Sequence, residues 1–291
     1  MSDLPFDFAV ENYPLAPQTL YEVGGPARLA LLPRNRAEVE AAYAWMRTQD
    51  GPKLVMGGGS NVLVSDEGFD GIVIFTNALD GIEQEGEDRY VIEGGAVLDT
   101  MVQEVLLAHN YAGTGGLTGI PGTVGGAIFM NAGTVKGSIC QLLESVDLVS
   151  ETGPASVAID PSKYSYRGQT FCPPRGLIVA GHFRITPAEE DQRAIYDRYI
   201  QRRKENQPQG RCCGSVFKNP ENEHAGRLIE ACGLKGTRQG DAVISELHAN
   251  FVMNEGQARC SDILSLIALA KESVRERFGI DLEEEVRVIG V

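Results

Sequence analysis

The sequence predicts an α+β fold divided into two or three lobes. At 291 residues the chain is long for a single domain. Along it, segments with helical spacing alternate with short apolar runs that are typical of strands. A glycine-rich, apolar stretch at 113–133 separates a first group of such segments from a second. No internal repeat or low-complexity tract interrupts this order.

The first part of the chain predicts two helices and three strands. Residues 36–49 predict a helix because Val39, Tyr43 and Met46 fall on one face at helical spacing. Residues 96–110 predict the second helix. The strands are short apolar runs at 53–56, 71–75 and 89–95.

The second part begins with strands and continues into a helix-rich region. The strands are predicted at 145–150, 155–159 and 177–185. A helix over 187–206 is expected because Pro187 suits a first turn and acidic residues follow it, and we take it as the hinge into another domain. The remaining predictions are a helix near 223–232, a strand at 248–254, a helix at 261–278 ended by Gly279, and a strand at 284–289.

Composition excludes some classes of partner. The net charge is −14, so nucleic acid and anionic membrane are not expected as partners, although one local basic pocket could still bind an anionic small molecule. The N-terminus has no basic segment followed by an apolar run, and no apolar stretch reaches 18 residues. A cytoplasmic location is therefore expected, and nothing in the pattern demands an oligomer, so a monomer is favoured.

The six cysteines predict neither a metal site nor a disulfide framework. They form no C-x-x-C pair and have no histidine at zinc spacing, so free thiols and no bound metal are expected. Cys212 and Cys213 are adjacent in RCCGSVFKNP (211–220), where a cysteine nucleophile would need a partnered base. No histidine lies within the ten residues before Cys212, and His224 is the first one after it. A redox role for this pair stays open.

The loop GGGSNVL (57–63) follows an apolar strand and is a candidate phosphate cradle. Its glycines allow backbone N–H groups to approach an anion, and Ser60 and Asn61 add side-chain donors. It matches neither a Walker loop nor the G-x-G-x-x-G fingerprint. A tight turn between two strands explains this loop equally well.

A second loop, GIPGTVGGAIFMNAG (119–133), shifts the balance toward a cofactor. Its glycines alternate with apolar residues, whereas a solvated linker would be polar and a plain core segment would not need five glycines in 15 residues. Such a wall suits the close approach of a large flat ligand. The two loops together predict a dinucleotide cofactor that is not held by a Rossmann fold.

Eight motifs carry a resemblance to a known family. They are TLYEVGGPARLALLP (19–33), GGGSNVLV (57–64), GIPGTVGGAIFMNAG (119–133), YSYRGQTF (164–171), GSVFKNP (214–220), LIEACGLKG (228–236), ISELHANFVMN (244–254) and LEEEVRVIG (282–290). In these motifs the chain resembles the UDP-N-acetylenolpyruvoylglucosamine reductases, flavoenzymes of bacterial peptidoglycan synthesis. The motifs span nearly the whole chain in the order found in that family.

The resemblance implies a three-part architecture and a flavin. Residues 1–80 and 81–186 would form the two lobes of an FAD-binding fold of the vanillyl-alcohol-oxidase type. Residues 187–291 would form an α+β substrate-binding domain, whose last strand could return to the first lobe. The cofactors implied are non-covalent FAD and NADPH. The expected FAD-binding residues are Gly57, Gly58, Gly59, Ser60, Asn61, Leu63, Gly116, Ile120, Pro121, Gly122, Thr123, Gly125, Gly126, Ala127, Asn131, Ala132 and Gly133.

The implied reaction reduces the enolpyruvyl ether of a UDP-sugar to a lactyl ether. It needs a cation on the substrate carboxylate, a proton donor at the carbanion and stabilisation of the developing enolate. By resemblance these roles fall to Arg167, Ser215 and Glu285, respectively. Gln169 stands where the family usually has serine, so a neighbouring hydrogen bond could differ. A lone arginine or a run of glutamates is otherwise most often a solvated surface feature.

Four further residues are candidate substrate contacts. Lys218 and Asn219 would contact the substrate diphosphate or position the donor serine. His248 and Asn250 fall on one face of the predicted strand at 248–254, where they could equally satisfy polar groups of the core. The third domain has no room for the tyrosine-bearing loop of some members, which indicates the shorter subtype and leaves the uridine contacts open.

Two other functions compete with the reductase. A flavin oxidase of the same fold would often tether FAD through histidine or cysteine in the first glycine loop, and GGGSNVL has neither. An inactive flavin- or nucleotide-binding protein would not need Arg167, Ser215 and Glu285 together. The preference for NADPH over NADH rests on the resemblance alone.

Overall fold

The computed structural model describes residues 4–291, which form two compact units. Unit 1 comprises the N-terminal residues up to Glu11 together with Leu29–Gly58 and Gly71–Arg202. Unit 2 comprises Asn12–Arg28, Gly59–Asp70 and Arg203–Val291. The sequence places the start of the third domain at residue 187, whereas the last crossing between units follows Arg202. Two segments from the first 80 residues also belong to unit 2.

Helices and strands follow one another along the described chain as an α+β arrangement. The strands are β1 (Ala9–Pro14), β2 (Pro26–Leu31), β3 (Lys53–Met56), β4 (Val62–Val64), β5 (Phe69–Phe75), β6 (Ile82–Gln84), β7 (Arg89–Glu93), β8 (Gly133–Thr134), β9 (Gly137–Ser138), β10 (Leu143–Ser150), β11 (Gly153–Ala158), β12 (Tyr164–Ser165), β13 (Gly168–Gln169), β14 (Leu177–Arg184), β15 (Arg238–Gln239), β16 (Ala242–Ile244), β17 (Val252–Asn254) and β18 (Arg287–Ile289). The helices are α1 (Arg36–Thr48), α2 (Leu98–Met101), α3 (Thr114–Leu117), α4 (Val124–Phe129), α5 (Gln192–Asn206), α6 (Ala225–Ala231) and α7 (Cys260–Phe278).

One core of unit 1 combines buried residues of α1, of a sheet with order β1-β2-β5-β3, and of β10 and β14. The predicted helix at 36–49 is confirmed as α1, with Val39, Tyr43 and Met46 buried on one face. Asn35 begins the helix, because its side chain accepts a hydrogen bond from Glu38 N–H at 3.0 Å. Strand β3 runs parallel to β5 and leads directly into the first glycine loop.

A second core of unit 1 lies on an antiparallel sheet of order β11-β10-β14-β7-β6. Buried residues of α2 and α4 pack on it. The helix predicted at 96–110 is α-helical only over α2 and continues as a π-helix over Val102–Leu107. The N–H of Tyr111 donates to Leu106 O at 2.7 Å, which is the five-residue spacing of a π-helix.

The core of unit 2 is built on α7, α6 and a sheet of order β15-β16-β17. The apolar face of α7 is buried through Ile263, Leu266, Ile267 and Val274. The helix ends at Gly279, as predicted, where φ is +66°, a conformation that glycine adopts without strain. Strand β18 pairs in parallel with β4, so the last strand lies beside residues from the first 80.

The predicted start of the helix at 187–206 is wrong by five residues. Pro187 forms an isolated bridge with Tyr111, and α5 begins only at Gln192. The true start signal is Asp191, whose Oδ1 accepts from the N–H groups of Arg193 and Ala194 at 2.9 and 3.1 Å. The acidic residues after the proline therefore indicate the start of the helix better than the proline does.

Two predicted strands are shorter than the sequence indicates. The strand expected at 248–254 contains only β17, because residues 249 and 250 form a turn. The strand expected at 284–289 contains only β18, so Glu285 precedes the strand and its position does not follow from strand alternation. In both segments, the residues that lie outside the strand include predicted site residues.

The described residues contain no candidate membrane span and no candidate metal-binding cluster. Between residues 4 and 291, no helix is long and apolar enough to cross a membrane. In the same part of the chain, no group of three or more His, Cys, Asp or Glu side chains could hold a metal ion.

Candidate active site

The two predicted glycine loops meet in unit 1. A Cβ atom on Gly57 would collide with Thr123 Oγ1, and one on Gly58 would lie 3.2 Å from Gly122 Cα. Only glycine therefore fits at residue 57 without displacing its neighbour. Within the described chain, neither Gly57 N–H nor Gly58 N–H donates a hydrogen bond to a protein group. Such a cradle of close backbone with available donors fits the phosphates of FAD.

The second loop contains the short helix α4 rather than irregular chain alone. Thr123 precedes this helix, and its Oγ1 accepts from Gly126 N–H at 3.4 Å. The FAD contacts predicted between residues 116 and 133 divide into two groups by exposure. The reachable group is Ile120, Pro121, Gly122, Gly125, Gly126 and Ala132. The buried group is Gly116, Thr123, Ala127, Asn131 and Gly133.

Two of the buried residues hold the segment that carries Arg167. Asn131 Nδ2 donates to Ser165 O at 2.7 Å, and Arg167 Nη1 donates to Gly133 O at 2.9 Å. Arg167 lies in the turn between β12 and β13 with φ of +54°, a strained value for a residue with a Cβ. Its guanidinium also lies over the Tyr166 ring at 5.1 Å. The end of the second glycine loop thus orients the predicted carboxylate-binding arginine.

Gln169 has a defined structural role in place of the serine expected from the resemblance. Its Oε1 accepts from Cys172 N–H at 2.7 Å, and its Nε2 donates to Cys172 O at 3.0 Å. The amide therefore closes the turn that follows β13. These two hydrogen bonds involve only backbone atoms as partners and leave the Arg167 guanidinium contact to Gly133 unchanged.

Ser215 lies in unit 2, and its hydroxyl forms no hydrogen bond with any protein group in the described part of the chain. It lines a cleft of about 270 Å³ together with Asn219, His224, Gly226, Arg227, Glu230, Leu247, His248, Ala249 and Asn250. Ser215 is half-buried in the lining of this cleft, and a hydroxyl without a protein partner can donate its proton to a ligand.

Two other residues of the cleft lining, Asn219 and His248, have side chains that accept hydrogen bonds from the backbone. Asn219 Oδ1 accepts from Ala225 N–H at 3.1 Å and so caps α6. His248 Nδ1 accepts from Asn250 N–H at 3.2 Å, which places the ring proton on Nε2. Burial lowers the pKa of His248, so the ring is neutral at pH 7. Its ring packs on Gly226, where a Cβ would lie 2.8 Å from His248 Cε1.

Charged residues at the cleft are largely neutralised by neighbours. Arg227 pairs with Glu223 one turn earlier on the chain, and this hydrogen bond lowers the pKa of Glu223 to about 2. Lys218, a predicted substrate contact, is not part of the cleft lining and pairs with Glu283 at 2.5 Å. Substrate binding by Lys218 would therefore compete with Glu283.

The three adjacent glutamates 283–285 make different contacts. Glu283 pairs with Lys218, and Glu284 pairs with Lys271 at 2.8 Å. The backbone of Glu285 is held at both ends: its N–H donates to Val216 O at 2.7 Å, and its carbonyl accepts from Asn61 Nδ2 at 2.8 Å. Glu285 is thus tied directly to the residue after Ser215.

Asn61 therefore has a use that the sequence did not indicate. Its side-chain amide is directed at Glu285 O, and its carbonyl accepts from Arg287 N–H at 3.0 Å. Residues 59–63 of the first glycine loop belong to unit 2, where Asn61 joins the loop to the segment that carries the glutamate.

The cysteines of RCCGSVFKNP are poor candidates for chemistry. Cys212 and Cys213 are buried, and burial raises the pKa of both thiols, that of Cys213 to about 12. Cys213 Sγ donates to Val62 O at 3.3 Å. Both thiols are therefore protonated at neutral pH, which favours Ser215 as the reactive group in this segment.

Two family profiles match separate parts of the chain. Residues 206–289 match the family profile described as "UDP-N-acetylenolpyruvoylglucosamine reductase, C-terminal domain", and residues 27–156 match "FAD binding domain". The UDP-N-acetylenolpyruvoylglucosamine reductase of Chloroflexus aurantiacus is 42% identical over 95% of this chain and 96% of its own length. This chain belongs to that reductase family. The reductase of Chloroflexus aggregans is 40% identical over 96% of both chains.

A solved structure supports the fold as well as the sequence relation. The reductase of Thermus caldophilus superimposes with a TM-score of 0.81 at 34% identity, covering 97% of this chain and 98% of that one. The predicted family, the α+β fold and the FAD-binding domain are thereby confirmed. A flavin oxidase is disfavoured because the match at 206–289 is to the C-terminal domain of the reductase family.

Proposed function

We propose that this chain reduces the enolpyruvyl ether of UDP-N-acetylenolpyruvoylglucosamine to UDP-N-acetylmuramate in peptidoglycan synthesis, with Ser215 as proton donor. FAD, when bound, supplies hydride transfer from NADPH to the terminal vinyl carbon of the substrate. The observation that carries the role of Ser215 is its position in the lining of a cleft, with a hydroxyl that has no hydrogen-bond partner in the described chain. A second proposal is that Asn219 and His248 bind the UDP-sugar in this cleft.

Each of the three proposed catalytic residues meets a different requirement of the reduction. Addition of hydride to the vinyl group leaves negative charge on the adjacent carbon and on the substrate carboxylate. Arg167 would bind that carboxylate through the paired N–H donors of its guanidinium, while Glu285 would stabilise the developing enolate. Ser215 Oγ–H would give its proton to the carbanion, forming the new C–H bond. A serine is acidic enough for this step because a carbanion is a strong base and the geometry is fixed.

FAD is proposed to bind through the loop cradle at residues 57–58 and 122–123 together with the reachable residues of the second loop. The tight approach at Gly57 and the available N–H groups support this assignment. We further propose that the enzyme acts in the cytoplasm as a monomer, with no nucleic acid or membrane partner. Its net charge of −14 supports the exclusion of nucleic acid, and size-exclusion chromatography tests the monomer.

An anaerobic visible spectrum of the purified protein tests the whole assignment. NADPH should bleach the flavin bands, and the enolpyruvyl UDP-sugar should then restore them. Recovery only after air is admitted would instead indicate an oxidase. Failure to find or reconstitute a flavin would overturn the proposal.

A further inference from the structure

The position of the Ser215 hydroxyl is set by the backbone that follows it. No side-chain hydrogen bond orients the hydroxyl within residues 4–291, and the preceding Gly214 has φ of +75°, where glycine offers no steric constraint. The geometry of Ser215 therefore depends on how firmly Val216 and Phe217 are held.

Asn250 holds that backbone from one side with three hydrogen bonds. Its side-chain Nδ2 donates to Phe217 O at 2.8 Å, and its Oδ1 accepts from Phe217 N–H at 2.9 Å. Its main-chain carbonyl accepts from Val216 N–H at 2.8 Å. Asn250 is 3% exposed, so these bonds are shielded from water.

The opposite side of the same backbone carries Glu285. Val216 O accepts from the N–H groups of Glu285 and Val286 at 2.7 and 3.3 Å, and Lys218 N–H donates to Glu283 O at 2.9 Å. The segment after Ser215 thus lies between Asn250 and the glutamate run. A shift of Val216 would move the hydroxyl and the Glu285 backbone together.

We propose that Asn250 is a positioning residue that fixes the Ser215 hydroxyl for proton transfer, an inference that rests on the proposed function. Both ends of its amide are committed to Phe217, which accounts for an asparagine at a buried position in the cleft lining. This role takes the place of the substrate contact expected for Asn250. A displacement of about 1 Å at a reacting group can cost about 10²-fold in rate, so the clamp matters for chemistry as well as for folding.

The test is Asn250→Asp, which keeps the shape and the acceptor but loses the N–H donor to Phe217 O. Asn254→Asp is the matched control: Asn254 is 4% exposed in the same unit, and its Nδ2 donates to Tyr21 O at 2.8 Å. Its Oδ1 accepts from Gly256 and Ala258 N–H groups, both at 3.1 Å. Both variants therefore break one buried amide-to-backbone bond, and only one of them adjoins Ser215.

Rapid-mixing absorbance under anaerobic conditions would measure flavin bleaching by NADPH and its recovery with the enolpyruvyl UDP-sugar. In Asn250→Asp the recovery step should slow by about 10²-fold, whereas bleaching should stay within about twofold of wild type. The slowed step should also show a larger solvent deuterium isotope effect. Hydrogen exchange detected by mass spectrometry should accelerate in the 214–220 peptide, independently of activity. Asn254→Asp should lower the melting temperature without these changes.

The inference is overturned if the two variants give the same kinetic profile, or if Asn250→Asp restores the flavin bands at the wild-type rate. If Asn250→Asp does not fold, Asn250→Ser decides by the same comparison, since its hydroxyl is too short to span both Phe217 groups. Failure of the proposed function is distinguishable, because the wild-type protein itself would then show no recovery.

Discussion

Replacing Ser215 with alanine should separate catalysis from folding. The Ser215 hydroxyl has no protein partner in the part of the chain that the structure describes, so removing it breaks no hydrogen bond. The free energy of unfolding should therefore change by no more than about 0.5 kcal/mol. Loss of a general acid typically costs about 10²–10⁴-fold in rate, or roughly 3–5 kcal/mol of transition-state stabilisation.

The assay follows the two half-reactions of the Ser215→Ala variant separately under anaerobic conditions. Flavin bleaching by NADPH should match wild type, while recovery with the enolpyruvyl UDP-sugar should slow by the full factor. Ser265→Ala is the control, because Ser265 Oγ donates to Ser261 O at 2.8 Å on an exposed face of α7. Ser215→Cys should recover part of the rate, since a thiol can also donate a proton.

Two results would contradict the proton-donor role. Equal slowing of both half-reactions would mean that Ser215 acts through the flavin site or the fold. A recovery rate within a few-fold of wild type would mean that another group, or water, supplies the proton.

Two other substitutions and one reagent test the structural roles of Gly57, Gln169 and the buried cysteines. Gly57→Ala should lower the melting temperature because its Cβ collides with Thr123 Oγ1. A Thr123→Ala background should relieve part of that loss. Simple additivity of the two effects in the double mutant would contradict the contact. Gln169→Ser should cost about 1–2 kcal/mol by removing two hydrogen bonds to Cys172, and unchanged urea unfolding would show that the clamp is unimportant. A thiol reagent at pH 8 should label half-buried Cys232 before the five buried cysteines, and early labelling of Cys213 in a mass spectrum would argue against its protonated, buried state.

Local sequence signals predicted the elements whose stability is local. Helix α1 could be predicted from the sequence because its apolar spacing and its capping residue Asn35 lie within the segment itself. Helix α7 could be predicted for the same reason, since Gly279 marks its C-terminal end. The lengths of β17 and β18 were overestimated because the alternation of apolar residues continues into the turns before them. The hydrogen bonds of those turns depend on residues far away in the sequence.

The supports of the site could not be predicted because they join distant residues. Asn250 and Phe217 are 33 residues apart, and Asn61 and Glu285 are 224 apart. An asparagine that clamps a backbone and one that binds a ligand are identical as letters, so the sequence left both roles open. The catalytic candidates themselves came from the family resemblance, not from spacing.

The run of adjacent glutamates provides a final test with a built-in control. Glu284 forms an exposed pair with Lys271, which is worth about 0–1 kcal/mol, so Glu284→Gln should change neither half-reaction. Glu285 is half-buried, and its backbone is bound to Val216, the residue after the proposed proton donor. If Glu285 stabilises the enolate, Glu285→Gln should slow flavin recovery by about 10²–10³-fold and leave bleaching by NADPH unchanged. Equal effects of the two substitutions would show that the site needs the charge of the run, and not this carboxyl group.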